Sequence, residues 1–346
     1  MRPVRLVFYP FEFRDPNSYT SRMKLAIEKA FPGIEILNNP HNFNQYNEID
    51  YIWLNWYENI AASNIFTYIY IAFKRIVKLL LLKRKKVSII YTVHNRQPHE
   101  TKYAFLNRLI LRIFLRISNT VIILSDQTKK ILKSIGGNSV LRKTIKIPHP
   151  TYNCVPKVYS AEPEKFTVLF FGMLRPYKNI EYLLSIADRL PQIKFIIAGE
   201  AIDSEYATKL KSDLKRHGNV ELIIHRLSDS EINRLMDEAS ILALPYNMKS
   251  SLNSGAAMYA LSKGINLVIP QIGTIEELTN KDKVYSYSYL TDEEHFVRFE
   301  AALIQAYDDY YNSYTDFVKN AETLRTEVET TNSINAISQM IMNIGL

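Results

Sequence analysis

Cysteine and long uncharged apolar runs are nearly absent from this chain of 346 residues. The single cysteine, Cys154, excludes an internal disulfide bond and fits a reducing compartment. The N-terminal apolar run, 6–9, stops at Pro10 and is too short for the core of a signal peptide. The most apolar stretch, 65–82, is interrupted by three cations, so it falls short of the roughly 18 uncharged residues of a membrane-spanning helix. The sequence therefore predicts a cytoplasmic protein without a spanning helix.

Positive charge is concentrated in the first half of the chain. Residues 1–150 hold 24 Lys and Arg against 9 Asp and Glu, whereas the remainder holds 19 against 26. Twelve cations and one acid lie between Lys74 and Arg116, next to the aromatic residues of 66–73. A basic amphipathic helix with aromatic anchors suits an anionic membrane surface. The alternative is a buried helix whose cations merely border the core. We predict peripheral contact with the inner face of the plasma membrane.

Strand and helix patterns alternate twice along the chain. Apolar, β-branched strands alternate with helical patterns over 4–147 and again over 166–287, which predicts parallel sheets. The segment between them contains four prolines and has no period, as is typical of a linker. We therefore predict an α/β protein of two Rossmann-like domains, 1–155 and 156–331. The last amphipathic helix, about 332–346, is expected to pack back on the first domain.

The first motif follows a strand of the second half and reads FFGMLRPYKNIEYLL. Gly172 allows a sharp exit from the strand, and a helix is predicted over 178–190. Arg175 and Lys178 then lie at or beside the N-terminus of that helix, where cations and free backbone N–H groups suit a diphosphate. The alternative interpretation is a solvated loop with two ordinary surface charges.

The second motif reads ALPYNMKSSLNSGAAMYALSKGINLVIP. After a strand and a polar loop, Asn253 or Ser254 is expected to cap a helix that begins near Gly255 and ends at Gly264. The small first turn would let phosphates approach the backbone. Close packing between helix and strand, which also favours Gly and Ala, is the alternative.

The third motif, VSIIYTVHNRQPHE, ends a buried strand of the first half in polar residues. Ligands bind outside the carboxyl ends of strands in open α/β sheets. His94 could therefore accept a proton or hydrogen-bond a substrate. The alternative is a structural histidine that caps the strand end.

Together, the three motifs resemble the GT-B-fold glycosyltransferases around glycosyltransferase family four, the group 1 bacterial polysaccharide transferases. The resemblance implies two domains facing across a cleft, with an acceptor-binding N-terminal domain and a C-terminal domain that binds the nucleotide sugar. The chain departs from that family where a Glu-x7-Glu pair is usual, because Ser251 and Tyr259 occupy these positions. Met173 replaces an arginine, and the Gly-rich loop after the first strand is absent.

The resemblance also implies roles for individual residues. His94 would contact the acceptor or the transferred sugar, while His99, Glu100 and Asp15 are candidates for a general base. For these three, surface positions without a role in catalysis are the alternative. Tyr259 either packs against the nucleoside or leaves this role to another residue. Glu200 and Arg226 each follow a predicted strand, and this position would let them line the nucleoside pocket. By analogy with the family, Glu276 and Glu277 would contact the donor sugar.

The predicted function is a hexosyltransferase that moves sugar from a UDP- or GDP-sugar to a lipid-linked or polysaccharide acceptor in bacterial surface glycan synthesis. No Asp-x-Asp occurs, so we expect no metal, and the nucleotide sugar is a co-substrate rather than a cofactor. A sugar-nucleotide 2-epimerase of the same fold and a basic nucleic-acid-binding protein are the alternatives. No zinc-finger spacing or RRM signature supports the latter, and we expect no nucleic-acid partner.

Overall fold

The computed structural model describes residues 2–10, 17–37, 48–95, 103–214 and 218–345. The chain forms two compact units. The first unit contains Met1–Pro150 and Asn332–Leu346, and the second contains Thr151–Thr331. The chain therefore crosses between the units twice, and each unit has its own parallel sheet.

In the ranges that the structure describes, the sheet of the first unit has six parallel strands. They are β1 (Arg5–Tyr9), β2 (Glu35–Leu37), β3 (Tyr51–Asn55), β4 (Ser88–Val93), β5 (Thr120–Ile123) and β6 (Thr144–Lys146). Their order is β2-β1-β3-β4-β5-β6, so the direction of the winding reverses between β1 and β3. The central strands are almost completely buried, as expected for a parallel sheet covered by helices on both faces.

Within the described residues, five helices connect these strands. They are α1 (Tyr19–Ala30), α2 (Ile65–Arg84), α3 (Ala104–Ile117), α4 (Gln127–Gly136) and α5 (Asn138–Leu141). The side chains of Ser18 and Asn64 cap α1 and α2, because each accepts a hydrogen bond from the backbone three residues later. None of the helices described combines the length and apolarity that crossing a bilayer requires.

The second unit repeats this architecture. Its strands are β7 (Thr167–Phe171), β8 (Lys194–Gly199), β9 (Val220–Ile224), β10 (Ile241–Ala243), β11 (Asn266–Pro270) and β12 (Tyr285–Tyr287). All pairs are parallel, in the order β12-β11-β10-β7-β8-β9. The winding therefore reverses between β7 and β10.

The described part of the second unit contains seven helices, and one further helix belongs to the first unit. They are α6 (Ile180–Arg189), α7 (Ser204–Leu214), α8 (Asp229–Glu238), α9 (Gly255–Lys263), α10 (Gly273–Glu276), α11 (Asp292–Asn312) and α12 (Tyr314–Asn332), followed by α13 (Ile334–Met342). Helix α13 buries Ile337 and Ile341 in the same core as Leu6 and Phe8 of β1. The last helix thus completes the core of the first unit.

The predicted α/β class with two Rossmann-like halves is confirmed, and the strands of the two sheets lie within the two predicted ranges, 4–147 and 166–287. The two units divide between Pro150 and Thr151, and the domain bounds 1–155 and 156–331 stay a prediction. The segment after Thr151 is bonded to α9. Tyr152 N donates to Ser262 Oγ over 3.0 Å, and Lys157 N donates to the carbonyl of Lys263 over 2.7 Å.

Candidate functional site

Two loops meet where the second sheet reverses its winding, between β7 and β10. Ligands bind at such reversals, outside the carboxyl ends of the strands. The Asn179 side chain, after β7, donates to the carbonyl of Pro245, after β10, over 2.8 Å. Asn247 N donates to the carbonyl of Tyr177 over 3.2 Å. These bonds tie together the loops that carry the first two motifs.

Lys178 is a buried cation in the loop after β7. The side chain is 8% exposed, and its Nζ lies 5.6 Å from the ring centre of Phe170 and 5.4 Å from that of Tyr246. Within the described part of the chain, Nζ has no hydrogen-bond or ion-pair acceptor. Burial, and in second place the nearby charge of Arg175, lowers the pKa of Lys178 from 10.5 to about 7. An anion at this position would pair with the ammonium group and so offset the free-energy cost of burying its charge.

The backbone around Lys178 is shaped by two unusual conformations. Gly172 has φ +122°, and a Cβ there would lie 3.2 Å from Lys178 Nζ. Asn179 has the left-handed conformation with φ 52°. Lys178 therefore ends a short 3₁₀ turn, Pro176–Lys178, and α6 begins only at Ile180. The predicted helix start at Lys178 is wrong by two residues, because Asn179 interrupts the helical backbone.

The N-terminus of α9 lies beside the same loop. Ser254 caps the helix by accepting a hydrogen bond from Ala257 N over 3.1 Å, which identifies the cap among the two predicted residues. The amides of Gly255 and Ala256 precede the first intrahelical bond and carry the positive end of the helix dipole. The loop after β10 links the two features, because the Tyr246 ring lies over Lys178 Nζ and Ser254, at the end of the same loop, caps α9.

The predicted nucleoside contacts lie at different distances from this reversal. Glu200 follows β8, the neighbour of β7, and its carbonyl accepts a bond from Leu174 N over 2.8 Å. Arg226 is exposed and follows the edge strand β9, one strand further away. Tyr259 lies in α9 and is buried against Tyr152 and Phe171, with ring centres 4.9 Å and 5.8 Å apart. Nucleoside contact for these residues stays a prediction.

The predicted sugar contacts lie on a loop that touches α9. The Thr274 side chain accepts a bond from Ser254 N over 3.0 Å, which places α10 beside the start of α9. Glu276 at the end of α10 pairs with Lys281 over 2.9 Å, and Glu277 follows it. Asn253 is half-buried directly before the cap. The structure thus brings these residues to neighbouring loops.

His94 lies in the first unit, directly after β4. The imidazole is buried and stacks on the Trp56 ring, with centres 4.0 Å apart and planes at 20°. Its Nε2 is 3.0 Å from Asn55 Oδ1, and the Tyr19 ring contacts it edge-on at 4.9 Å. Burial, and then the nearby His149, lowers the pKa of His94 well below its usual value. His94 is therefore a neutral imidazole at neutral pH.

Three predicted general-base candidates, Asp15, His99 and Glu100, lie outside the described residues. Among the residues that are described, no group of three or more His, Cys, Asp or Glu side chains could hold a metal ion.

Several residues of the two sites were not predicted. They are Tyr19, Asn55, Trp56, His149, Asn179 and Tyr246. The rule that sites lie at the carboxyl ends of strands would have selected Asn55, which ends β3, and the loop residue Tyr246. No local pattern distinguishes Tyr19, because its contact with His94 depends on how α1 packs on the sheet.

Residues 155–324 match the family described as glycosyl transferases group 1. A relative in Xanthomonas campestris pv. campestris, the GDP-mannose:glycolipid 4-beta-D-mannosyltransferase, is 24% identical over 277 residues. That alignment covers 75% of this chain and 72% of the relative.

Solved structures share the fold over nearly the whole chain. The Anabaena protein HepE in complex with UDP and glucose superposes with a TM-score of 0.70 at 16% identity, over 99% of both chains. A glycosyltransferase from Rickettsia africae gives a TM-score of 0.63 at 13% identity, over 99% of this chain and 97% of that one. These likenesses extend beyond the matched family segment to the first unit.

Proposed function

This chain is a GT-B-fold glycosyltransferase with a group 1 domain over residues 155–324, and we propose that it transfers a hexose from a UDP- or GDP-sugar to a lipid-linked or polysaccharide acceptor in bacterial surface glycan synthesis. The name of the Xanthomonas relative contains GDP-mannose and glycolipid, and HepE structures contain UDP or UDP-glucose. These names support the donor and acceptor classes. They do not favour the epimerase or the nucleic-acid-binding alternative.

The buried cation Lys178 is the observation that carries this proposal. An ammonium group that is buried without a paired acceptor costs several kcal/mol, so its position favours an anionic ligand. The diphosphate of a nucleotide sugar would bond Lys178 and the first amides of α9, with Arg175 close by. The same groups would stabilise the charge that develops on the departing diphosphate.

His94 is the proposed contact with the acceptor or the transferred sugar in the first unit. Because its imidazole is neutral, it would hydrogen-bond a sugar hydroxyl without adding charge to the site, or accept the hydroxyl proton and become a positively charged imidazolium. Asp15, His99 and Glu100 stay candidates for a general base. A His94→Ala variant that folds normally and keeps full transfer activity would remove His94 from this proposal.

A thermal-shift screen with UDP, GDP, CMP and their sugars tests the donor class. We expect UDP or GDP to raise the melting temperature by several degrees at about 100 times Kd, because a ligand that binds only the folded state adds about 2.7 kcal/mol there. CMP, which carries a single phosphate, is the matched control. The proposal fails if none of the diphosphates stabilises the protein.

Binding of UDP or GDP should take up a proton. With a pKa of about 7, Lys178 is largely neutral in the ligand-free chain above neutral pH, and a bound diphosphate would restore its charge. Between about pH 7.5 and 9, Kd should therefore rise by up to about tenfold per pH unit. The terminal phosphate, with a pKa of about 6, is already ionised in this range.

Calorimetry in buffers of different ionisation enthalpy measures this proton uptake. The Lys178→Arg variant is the control, because its guanidinium stays charged and should bind without taking up a proton. Equal uptake by the wild type and the arginine variant would assign the proton to another group.

The outer surface of α2 and α3 supports membrane contact, and we call it the α2–α3 surface. Its exposed apolar residues are Ile65, Phe66, Ile69, Tyr70, Phe73, Leu80, Phe105 and Leu109. Phe66 and Phe105 are each 81% exposed. The exposed cations of the two helices and the turn after α2 are Lys74, Lys83, Arg84, Lys85, Lys86, Arg108, Arg112 and Arg116. Aromatic side chains bordered by cations suit the interface of an anionic bilayer, so peripheral association with the inner membrane face is part of our proposal.

Changing Arg84, Lys85 and Lys86 together to glutamine should weaken binding to phosphatidylglycerol vesicles by about 100-fold, since each cation contributes about 1 kcal/mol. Lys83 is left intact because its Nζ bonds the carbonyl of Ile117 at the end of α3. Vesicle flotation measures the effect.

The control for this experiment replaces three cations of α4, Lys129, Lys130 and Lys133, which lie on the same unit but outside the α2–α3 surface. This variant should float like the wild type. Unchanged flotation of the first variant would contradict membrane binding by this surface. Binding of the wild type to duplex DNA but not to vesicles would favour the nucleic-acid alternative.

A further inference from the structure

Asn55 connects the ends of three strands at the point where the winding of the first sheet reverses. It ends β3 and is fully buried. Its Nδ2 donates to the carbonyl of Tyr9, the last residue of β1, over 2.8 Å. Its Oδ1 lies 3.0 Å from Nε2 of His94, which follows β4. One amide thus bonds the ends of both neighbouring strands.

The bond to Tyr9 determines which way the Asn55 amide points. A carbonyl oxygen only accepts hydrogen bonds, so the amide nitrogen must face Tyr9 and the amide oxygen must face His94. An amide oxygen also only accepts, and Nε2 of His94 must therefore carry the proton. The opposite tautomer would direct two lone pairs at each other in a buried site, at a cost of about 1–3 kcal/mol.

Aromatic contacts hold the His94 ring in the plane that this bond requires. Trp56 stacks on one face of the imidazole, and its own backbone has φ 51°, an unusual value outside glycine. The Tyr19 ring packs edge-on against His94 and also contacts His149, with ring centres 5.0 Å apart. The ring therefore has little freedom to flip.

We propose that Asn55 is a positioning residue that holds His94 as the Nε2–H tautomer, so that Nδ1 is the ring atom that accepts a proton or hydrogen bond. The tautomer assignment follows from the contacts alone, whereas its consequence for sugar transfer rests on the proposed function. Of the two ring nitrogens of His94, Nδ1 is therefore the one assigned to accept a proton or hydrogen bond from the substrate.

Side-chain NMR of protein labelled with ¹⁵N-histidine tests the tautomer without any substrate. We expect the His94 signals, assigned by their loss in His94→Gln, to show a protonated Nε2 and an unprotonated Nδ1 in the wild type. The Nδ1–H tautomer in the wild type would overturn the proposal, and this measurement needs no variant of Asn55.

Two variants then test the part that Asn55 plays. Asn55→Ala removes the acceptor, so the His94 tautomers should become mixed, and kcat should fall about 100-fold with little change in KM for the nucleotide sugar. Asn55→Asp keeps an acceptor at Nε2, so it should retain the Nε2–H tautomer and recover part of kcat. An unchanged tautomer in Asn55→Ala would contradict positioning by Asn55. A changed tautomer with unchanged kcat would support positioning and count against the proposed role of His94 in transfer.

Discussion

Replacing Lys178 with methionine should weaken UDP or GDP binding by about 100-fold and, at neutral pH, raise the stability of the ligand-free protein. Loss of a buried, charge-assisted contact with a phosphate typically costs 2–5 kcal/mol, roughly 30- to 5,000-fold in Kd. The ligand-free protein gains stability because methionine fills a similar volume between Phe170 and Tyr246 but, unlike the ammonium group, needs no hydrogen-bond acceptor there. We expect the unfolding free energy to rise by about 1–4 kcal/mol.

The pH dependence of this gain follows from the lowered pKa of Lys178. The folded state binds the proton with a pKa of about 7, against 10.5 for an ordinary lysine. Below about pH 7 the folded wild type carries the full cost of the buried charge. Between the two pKa values, the unfolded chain binds more protons, so wild-type stability rises with pH. The advantage of the methionine variant should therefore be largest at low pH and fade towards pH 10, as denaturant titrations would measure.

Lys263→Met is the matched control, because Lys263 is also buried, at 1% exposure, but is paired. Its Nζ lies 2.8 Å from an Asp237 carboxylate oxygen and donates to the carbonyl of Val155 over 3.1 Å. Removing it leaves that carbonyl unsatisfied and should destabilise the protein by about 1–3 kcal/mol without affecting nucleotide affinity. Equal stability changes in the two variants would show that Lys178 is an ordinary core residue.

The contrast between these lysines shows what the sequence could and could not predict. The sequence predicts Lys178 as a site residue because it follows a buried strand and a glycine, which are local features. Its isolation depends on the ring of Tyr246, which follows a strand more than sixty residues later and neighbours β7 only in the folded sheet. The burial of Lys178, and hence the strongest support for an anionic ligand, requires the strand order.

For His94 in the first unit, too, only part of the site could be predicted from the sequence. The end of the β4 strand was predictable from its β-branched run, as was the fold class from the repeated alternation. The hydrogen bond between His94 and Asn55 depends on the register of β3 against β4, in which Asn55 lies beside Thr92. Side chains alternate along a strand, so His94, two residues after Thr92, can return to the side of Asn55. Neither strand order nor register is encoded in a local pattern.

Gly199→Ala should be the most destabilising single substitution in the second unit, by about 4 kcal/mol or more, lowering the melting temperature by about 10 °C. Gly199 ends β8 with φ +151°, and an added Cβ would overlap the carbonyl oxygen of Gly172 and lie 2.7 Å from its carbonyl carbon. The two backbones cannot separate easily. Gly172 N donates to the carbonyl of Ala198 over 3.0 Å, and Leu174 N donates to that of Glu200 over 2.8 Å.

Substitutions at two other glycines distinguish the steric overlap of the added Cβ from the strain of the backbone conformation. Gly33 has φ +96°, and no atom of the described residues lies within 4 Å of an added Cβ, so Gly33→Ala should cost only the conformational strain of about 1–2 kcal/mol. Around Gly218 the described residues leave open space and the backbone has no such strain, so Gly218→Ala should be nearly neutral. Thermal unfolding of the three variants gives the comparison. If Gly199→Ala loses no more stability than Gly33→Ala, then the strand ends of β7 and β8 can move apart, and the loop that holds Lys178 is not rigidly supported by this contact.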